Sequence, residues 1–473
     1  DATLAVGEAR GYVALDLATF TRDDSGVRVR GVEVDGQPTA FVVGPRRLVV
    51  ETGDRLDATI RVRYAGDVTV HGGGDFVLTD DVVLRGESGW LPTLPDSAGR
   101  FDVRVRLPDG YRAFGQGEAT APRPLGNGWT QWAWQLPTGR DFTLYAAPAY
   151  VTEELELAGA RLLIAVWPES ADALPTLVEP LRALQGRFEP LGPYPFGTAN
   201  IVQTGFPGGY GALSNVTLGR DLADLTPETL LPFVAHELAH GWFPGTAIVP
   251  SDAGQWGEPF AQYAMTLVVD EALALDERRH CATAYAALPI EQDVEISTVT
   301  GVIEDWARTE AINYCKGLLV LTTLEDRVGQ PAMLELLRAL SRSRAGQITT
   351  WDDIVDLAGA TLGAEHGHWL RAAVTTPGAP DLRLDAVQRR GSAVTGVLRQ
   401  SGAAEGAVGL GLLDEQGALL RTITVPFAGP TTRFTVEDSA GAATLVLDPA
   451  FRLARRWPVD AAATAAGLRV ALR

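Results

Sequence analysis

The first part of the chain alternates apolar and polar residues over short runs that end at glycine, Asp-Gly or Pro-Asp turns. Two such stretches are VTVHGGGDFVLTDDVVLRG at 68–86 and GRFDVRVRLPDGYRAFGQGE at 99–118. Successive side chains of a β-strand point to opposite faces, so this period of two indicates strands with one buried face. Residues 1–150 are therefore predicted to form an N-terminal β-sheet domain.

The pattern changes near residue 151, where strands begin to alternate with segments of helical spacing such as ADALPTLVEPLRALQGRF at 171–188. Helical patterns dominate from 221 to 374, and the proline- and glycine-rich stretch TTPGAPDL at 375–382 is typical of a linker. Hairpin-like runs follow the linker and predict a small β-sandwich. The sequence therefore predicts a multidomain α+β protein. Its domains are expected at 1–150, 151–375 and 381–473.

Composition and charge narrow the range of partners. The 473 residues carry a formal net charge of −19, and 46 % of them are hydrophobic. Nucleic acids and anionic membrane surfaces bind clustered positive charge, so neither is an expected partner. No apolar run approaches the roughly 20 residues that span a bilayer, so no transmembrane helix is expected. The sequence indicates neither the oligomeric state nor the compartment.

The chain contains two cysteines, Cys281 and Cys315, and neither belongs to a Cys-x-x-Cys pair. Two buried thiols are expected, and a bridge between them is the alternative. Among the 40 lysines and arginines only Lys316 is a lysine, a bias that is expected to reflect genome composition rather than function.

The strongest chemical signal is the stretch VAHELAHGW at 234–242. Upstream of it Thr226 is a candidate N-cap, so the stretch is predicted to be helical. On a helix His236 and His240 share one face and are close enough to bind one metal ion. Glu237 would project beside that ion, where it can accept a proton from a water molecule that the metal activates. The motif therefore predicts a metal site with a general base.

A catalytic zinc site needs a third protein ligand, and a carboxylate on the next helix is the expected one. The stretch QWGEPFAQYAMTLVVDEA at 255–272 has Pro259 as a candidate first helical residue, which puts Glu258 at the helix entrance. Asp252 is nearer in sequence, but it lies in a predicted loop with no element to hold it. Glu258 is the predicted third ligand, and Asp252 is the alternative.

Four motifs, in this order, resemble the zinc aminopeptidases of the aminopeptidase N type, which are gluzincin metallopeptidases. The motifs are GPYPFG at 192–197, FPGGYGALSN at 206–215, VAHELAHGWF with WGEPFAQY at 234–263, and NYCKGLLVL at 313–321. The spacing from His240 to Glu258 is one residue shorter than in the family. Gly257 and Pro259 flank the glutamate here in place of the family's asparagine and glycine.

The resemblance implies a thermolysin-like mixed α/β catalytic domain, one zinc ion as cofactor and a peptide substrate. Tyr314 takes the position of the family's catalytic tyrosine, whose hydroxyl donates to the oxyanion. The family's large helical C-terminal domain is not expected here, because residues 381–473 follow the linker and their pattern predicts strands. This would be a short form with a more open cleft, which excludes water less well.

The stretch GGYGALSN at 208–215 takes the position of an edge strand that pairs with the peptide by strand addition. Gly209, Gly211, Ala212 and Ser214 are the predicted substrate contacts, since glycines let a peptide approach the main chain closely. A glycine-rich hairpin turn is the alternative interpretation of this stretch.

Ser214 stands where the family has the glutamate that binds the substrate's free α-amine. A neutral hydroxyl cannot offer a cation the charge-assisted contact of a carboxylate. Glu87 and Asp221 are candidates to bind the α-amine in place of that glutamate.

The predicted function is a zinc-dependent metallopeptidase that releases N-terminal residues, and the alternative is a zinc oligopeptidase or endopeptidase with relaxed N-terminal recognition. A third hypothesis is a peptide-binding module without catalysis, which the complete set of site residues argues against.

Overall fold

The computed structural model describes residues 1–19, 26–67, 76–77, 81–206, 209–219, 222, 225–301, 305–400, 405–455 and 469–472. The chain divides into two compact units, Asp1–Pro250 with Ser341–Thr349 and Ser251–Leu340 with Thr350–Arg473. The first unit consists mainly of strands, and the second contains helices followed by strands. The fold is therefore mixed α+β, as the sequence predicts. The predicted three-domain boundaries stay a prediction.

The chain begins with strands that form two sheets on one apolar core. These strands are β1 Ala2–Gly7, β2 Arg10–Asp16, β3 Gly26–Val34, β4 Gln37–Pro38, β5 Phe41–Gly44, β6 Arg47–Asp54 and β7 Asp57–Asp67. One sheet has the order β1-β7-β3-β4 and the other β2-β6-β5. In β6, Leu48, Val50 and Thr52 are buried and their neighbours are more exposed. This alternation is the period of two from which the strands were predicted.

The following strands form two further sheets. They are β8 Phe76–Val77, β9 Val82–Leu84, β10 Gly99–Pro108, β11 Arg112–Gly115, β12 Glu118–Gly126, β13 Trp129–Gly139 and β14 Leu144–Ala147. The orders are β10-β13-β12 and β11-β14-β9-β8. Phe114 of β11 and Tyr145 of β14 pack in one cluster with Val202, so this part of the chain shares a core with the sheet that comes next.

The first unit also contains a five-stranded sheet. Its strands are β15 Val151–Leu157, β16 Ala160–Val166, β17 Thr198–Gln203, β18 Tyr210–Ala212 and β19 Asn215–Leu218, in the order β15-β16-β17-β19-β18. The inner strands β16, β17 and β19 are parallel, while β15 and β18 pair antiparallel at the two edges. All of β19 is buried, which parallel inner strands require. The predicted edge strand is confirmed as β18, and it forms a hairpin with β19.

Helices occupy the region with helical periodicity. They are α1 Leu174–Arg182, α2 Pro227–Ala239, α3 Gly257–Val268, α4 Glu271–Ala287, α5 Trp306–Thr309, α6 Gly317–Val328, α7 Gln330–Ser343, α8 Trp351–Leu362 and α9 Ala364–Thr375. A π-helix, Glu310–Lys316, joins α5 to α6. Short 3-10 helices lie at Gly86–Ser88, Pro168–Ala173, Glu189–Leu191, Ile290–Gln292 and Ile296–Thr298.

The predicted C-terminal β-sandwich is confirmed. Its strands are β20 Leu382–Arg390, β21 Ala393–Gln400, β22 Gly406–Leu413, β23 Leu419–Phe427, β24 Thr431–Val436, β25 Thr444–Leu447 and β26 Arg469–Ala471. The sheets have the orders β20-β21-β24 and β23-β22-β25-β26. Leu398 and Phe434 of the first sheet and Leu410 and Leu445 of the second belong to one buried core, which holds the two sheets together.

Two expectations were wrong. Cys281 and Cys315 form a disulfide instead of remaining thiols, because α4 and the π-helix bring residues 34 positions apart into contact. Helix α3 begins at Gly257 rather than Pro259, with the fully buried Trp256 as its N-cap residue. In the described part of the chain we find no helix with the length and apolarity that crossing a membrane requires.

Candidate metal centre and active site

Helix α2 carries the HELAH stretch, and local contacts define where it begins. Thr226 has extended backbone angles and forms a capping box in which its N–H donates to Thr229 Oγ1 at 3.1 Å. Pro227 is the first helical residue, and Glu228 follows in the first turn, near the positive end of the helix dipole. Hydrogen bonds from the backbone and from Thr226 hold the pKa of Glu228 below its usual range. The predicted N-cap is confirmed.

His236 and His240 lie side by side at the end of α2. Their ring centroids are 4.7 Å apart with the planes at 87°, and His236 is 8 % exposed. His240 is the C-cap residue, and its Nδ1 lies 2.8 Å from the carbonyl oxygen of Phe243. A carbonyl oxygen only accepts, so Nδ1 carries the proton and Nε2 keeps its lone pair. This bond fixes the tautomer and the ring orientation that a metal ligand needs.

One ligand atom from each of His236, His240 and Glu258 lies within 4.8 Å of the other two. Glu258 is the second residue of α3 and is half-buried. Two imidazole nitrogens and one carboxylate oxygen form a donor set typical of catalytic zinc, which leaves one coordination position for water or substrate. Asp252, the alternative ligand, is exposed in the turn before α3. These donors fit one zinc ion.

Two glycines pack on α2: Gly211 in the edge strand β18, and Gly209 just before this strand. A Cβ on Gly209 would collide with the ring of Phe233. A Cβ on Gly211 would collide with the carboxylate of Glu237 and would lie 3.2 Å from its carbonyl oxygen. The Cβ positions of both glycines therefore point toward the helix. Only glycine lets the main chain of β18 approach Glu237 this closely.

Buried contacts hold the turn that follows β18. The hydroxyl of Tyr194, from the GPYPFG motif, donates to the Leu213 carbonyl at 3.2 Å, and its ring packs edge-on against Trp242 at 4.8 Å. Burial raises the pKa of Tyr194, so the hydroxyl stays protonated and able to donate. Gln116 Nε2 donates to the Ala212 carbonyl at 3.0 Å. These bonds set the position of β18 relative to the helix that carries Glu237.

The four predicted substrate contacts differ in exposure. Gly209 is exposed and Gly211 is half-buried, whereas Ala212 is 8 % exposed and Ser214 is 0 % exposed. The Ser214 carbonyl accepts a hydrogen bond from the N–H of Asn200 at 2.8 Å. Exposure therefore falls from Gly209, just before β18, to the buried residues that follow the strand.

Tyr314 lies on the π-helix and is half-buried. Its ring packs edge-on against Trp306, with centroids 5.5 Å apart, and Trp306 is 52 % exposed. π-helical turns are rare and occur mostly at functional sites. The local backbone thus supports a functional role for this tyrosine.

No protein-family model and no curated protein matches this sequence. Solved structures match it in fold. The M1 zinc metallopeptidase from Deinococcus radiodurans has a TM-score of 0.62 and 22 % identity, over 79 % of this chain and 88 % of that one. A mutant from the same organism, bound to a Tyr-Ser-Ala substrate, has a TM-score of 0.59 at 22 % identity, with coverages of 79 % and 88 %. This chain has the M1 zinc metallopeptidase fold.

A solved structure from a second organism matches a larger share of this chain. Aminopeptidase A from Legionella pneumophila, in complex with aspartic acid, has a TM-score of 0.72 at 13 % identity. The match covers 97 % of this chain and 57 % of that chain, so nearly all of the present sequence is included.

Several residues near the site make contacts that the sequence did not predict. Phe243 contributes its carbonyl oxygen, and Tyr194 and Gln116 contribute hydrogen bonds to distant backbone groups. Tyr194 and Phe243 lie in the motifs GPYPFG and VAHELAHGWF, but neither motif indicates which atoms these residues contact. Two candidates for binding the α-amine, Asp221 and the side chain of Glu87, lie outside the described residues.

Proposed function

We propose that this protein is a zinc-dependent peptidase whose ion is held by His236, His240 and Glu258. The observation that carries the proposal is the convergence of their ligand atoms within 4.8 Å. The two histidines lie at the end of α2, the helix whose Glu237 packs against Gly211. The zinc metallopeptidases that share the fold support it. When bound, zinc supplies Lewis acidity, which activates a water molecule and polarises the carbonyl to be attacked.

Glu237 is the proposed general base and general acid. Its carboxylate accepts a proton from the attacking water as the carbon–oxygen bond forms. It then delivers that proton to the amine nitrogen as the carbon–nitrogen bond breaks. The Tyr314 hydroxyl is proposed to donate to the carbonyl oxygen as negative charge develops there. The products are a carboxylic acid and an amine.

The peptide is proposed to bind as an added strand along β18. One side of β18 pairs with β19, and as an edge strand it offers its other side to an incoming main chain. Because Gly211 touches Glu237, the scissile bond is expected beside Gly211. Gly209 precedes it and is exposed, which leaves room for the residues that follow the cleaved bond.

Replacing Gly211 by alanine should lower kcat by about 100-fold, because the added methyl group displaces the Glu237 carboxylate by about 1 Å. The measurement is kcat on an aminoacyl p-nitroanilide, with the melting temperature recorded in parallel. Gly99→Ala is the matched control, since a Cβ there meets no atom within 4 Å and the residue also lies on a strand. Wild-type kcat in Gly211→Ala would contradict the contact.

Release of N-terminal residues, as by enzymes of the aminopeptidase N type, is the proposed reaction. The M1 mutant bound to a Tyr-Ser-Ala substrate and the aminopeptidase bound to aspartic acid support a small peptide with a free amine. A zinc oligopeptidase or endopeptidase is the second candidate. It is argued from Ser214 alone, whose neutral and fully buried side chain cannot form an ion pair with the α-amine.

Two peptides of one sequence, with free and with acetylated N-termini, distinguish these reactions. The free peptide should be shortened one residue at a time while the acetylated one stays intact, because the site is proposed to bind a charged amine. Products are identified by mass spectrometry, with Glu237→Gln protein to reveal contaminating peptidases. Internal cleavage of the acetylated peptide at a similar rate would favour the endopeptidase.

A further inference from the structure

The only lysine of the chain, Lys316, follows Tyr314 by two residues and is 1 % exposed. Its Nζ donates to Asp293 Oδ1 at 3.3 Å and to the carbonyl oxygen of Thr376 at 3.2 Å. Its ammonium also lies 5.5 Å from the centroid of the Tyr285 ring. Every other basic position that is not histidine is arginine, so composition bias does not account for a lysine at this position.

Asp293 connects this ion pair to two further segments. Its Oδ2 accepts hydrogen bonds from the Tyr285 hydroxyl at 2.7 Å and from the N–H of Gly378 at 3.1 Å. Tyr285 belongs to α4, while Thr376 and Gly378 lie in the connection that leads to the C-terminal sandwich. The side chains of Lys316 and Asp293 are each 2 % exposed, so solvent barely screens their attraction.

The residues on either side of Lys316 are held as well. Cys315 is bonded to Cys281 of α4. A Cβ on Gly317 would lie 2.6 Å from the Pro259 Cβ, so the helix backbone packs directly on α3 next to Glu258. Three consecutive residues after Tyr314 are therefore fixed to three different neighbours: a helix, a buried carboxylate and another helix.

We propose that Lys316 is a positioning residue, which through Asp293 holds the π-helix in the geometry that places the Tyr314 hydroxyl for reaction. The inference rests on the proposed catalytic role of Tyr314. A π-helical turn is rarely stable on its own, so contacts outside it must select it over a regular helical turn. Lysine suits this role because its compact ammonium fits between a carboxylate and a carbonyl, whereas a planar guanidinium needs more room.

The experiment measures kcat, KM and melting temperature for K316M, the double variant K316M/D293N, Y314F and K316M/Y314F, on an aminoacyl p-nitroanilide. K316M should lower kcat by about 10- to 100-fold, the effect of a misplacement of up to about 1 Å, with little change in KM. It should also lower the melting temperature, because it leaves Asp293 charged and buried. K316M/D293N removes both charges, so it should recover the melting temperature but not kcat.

If K316M lowers kcat by misplacing the Tyr314 hydroxyl, it should cause no further loss of kcat in a protein that lacks this hydroxyl. K316M/Y314F is therefore expected to have the same kcat as Y314F alone. Arg279→Met, which breaks an exposed ion pair with Asp276 on α4, should keep the wild-type kcat. These results together support the proposal.

Any one of three results with the lysine variants would overturn the proposed role of Lys316. They are wild-type kcat in K316M, recovery of kcat together with stability in K316M/D293N, or a further loss of kcat when K316M is added to Y314F. Wild-type kcat in Y314F would also overturn it, while a zinc peptidase that depends on Glu237 would stand. A wild-type protein that cleaves no peptide would instead overturn the proposed function itself, and this inference with it.

Discussion

Glu237→Gln is expected to lower kcat by about 10²- to 10⁴-fold, which is the contribution that general acid–base catalysis typically makes. Glutamine keeps the shape of the side chain against Gly211, but a neutral amide cannot take the proton of the attacking water. The substitution leaves the donors of His236, His240 and Glu258 unchanged, so the zinc content should remain one ion per chain. The measurement combines kcat on an aminoacyl p-nitroanilide with metal analysis of the purified protein.

Glu228→Gln is the matched control for this prediction. Glu228 lies on the same helix as Glu237 but in its exposed first turn. Its replacement should leave kcat unchanged and slightly lower the melting temperature, because a negative charge near the helix N-terminus is lost. An active Glu237→Gln protein would exclude Glu237 as the base. Equal losses in both variants would point to damage of α2 instead.

Removing zinc should abolish turnover, a loss of at least about 10³-fold, because the metal then no longer lowers the pKa of the attacking water toward neutrality. Dialysis against a chelator followed by added Zn²⁺ should restore kcat. The metal-free protein should also unfold at a lower temperature. An ion that binds only the native state stabilises it by about 2.7 kcal/mol when its free concentration is 100 times Kd.

His236→Ala tests the same site without a chelator. The variant should retain no stoichiometric zinc and should not regain activity when Zn²⁺ is added, because one of the three donors is gone. His368→Ala is the matched control, since that side chain is exposed on α9. Stoichiometric zinc or wild-type kcat in His236→Ala would contradict the proposed ligand set, and zinc loss in His368→Ala would show that another region holds the ion.

Local patterns were sufficient to predict much of this protein. The period of two predicted the strands of the N-terminal region and of the C-terminal sandwich, because successive side chains of a strand point to opposite faces and burial of one face leaves an alternating pattern in the local sequence. The capping residue Thr226 and the four-residue spacing of His236 and His240 predicted the helix and its metal-facing pair for the same reason. The edge position of β18 came from the family resemblance rather than from periodicity.

Boundaries and pairings that depend on distant contacts were not predictable in this way. Helix α3 begins two residues before Pro259, where Trp256 is buried by other parts of the chain. The sequence contains both cysteines, but only the packing of α4 beside the π-helix brings them into bonding distance. The sequence likewise contains no local sign that Lys316 pairs with Asp293.

The chemistry of the candidate site is therefore present in the residue types and their spacing along one helix. Its geometry comes from elsewhere in the chain. The tautomer of His240 depends on the carbonyl of Phe243, and the surroundings of Glu237 depend on a glycine from a sheet edge. Periodicity reports which face of an element is buried, but it does not identify the partner that covers that face. That partner is selected by packing between segments far apart in sequence, which explains why the ligands could be named from the sequence and the contacts that orient them could not.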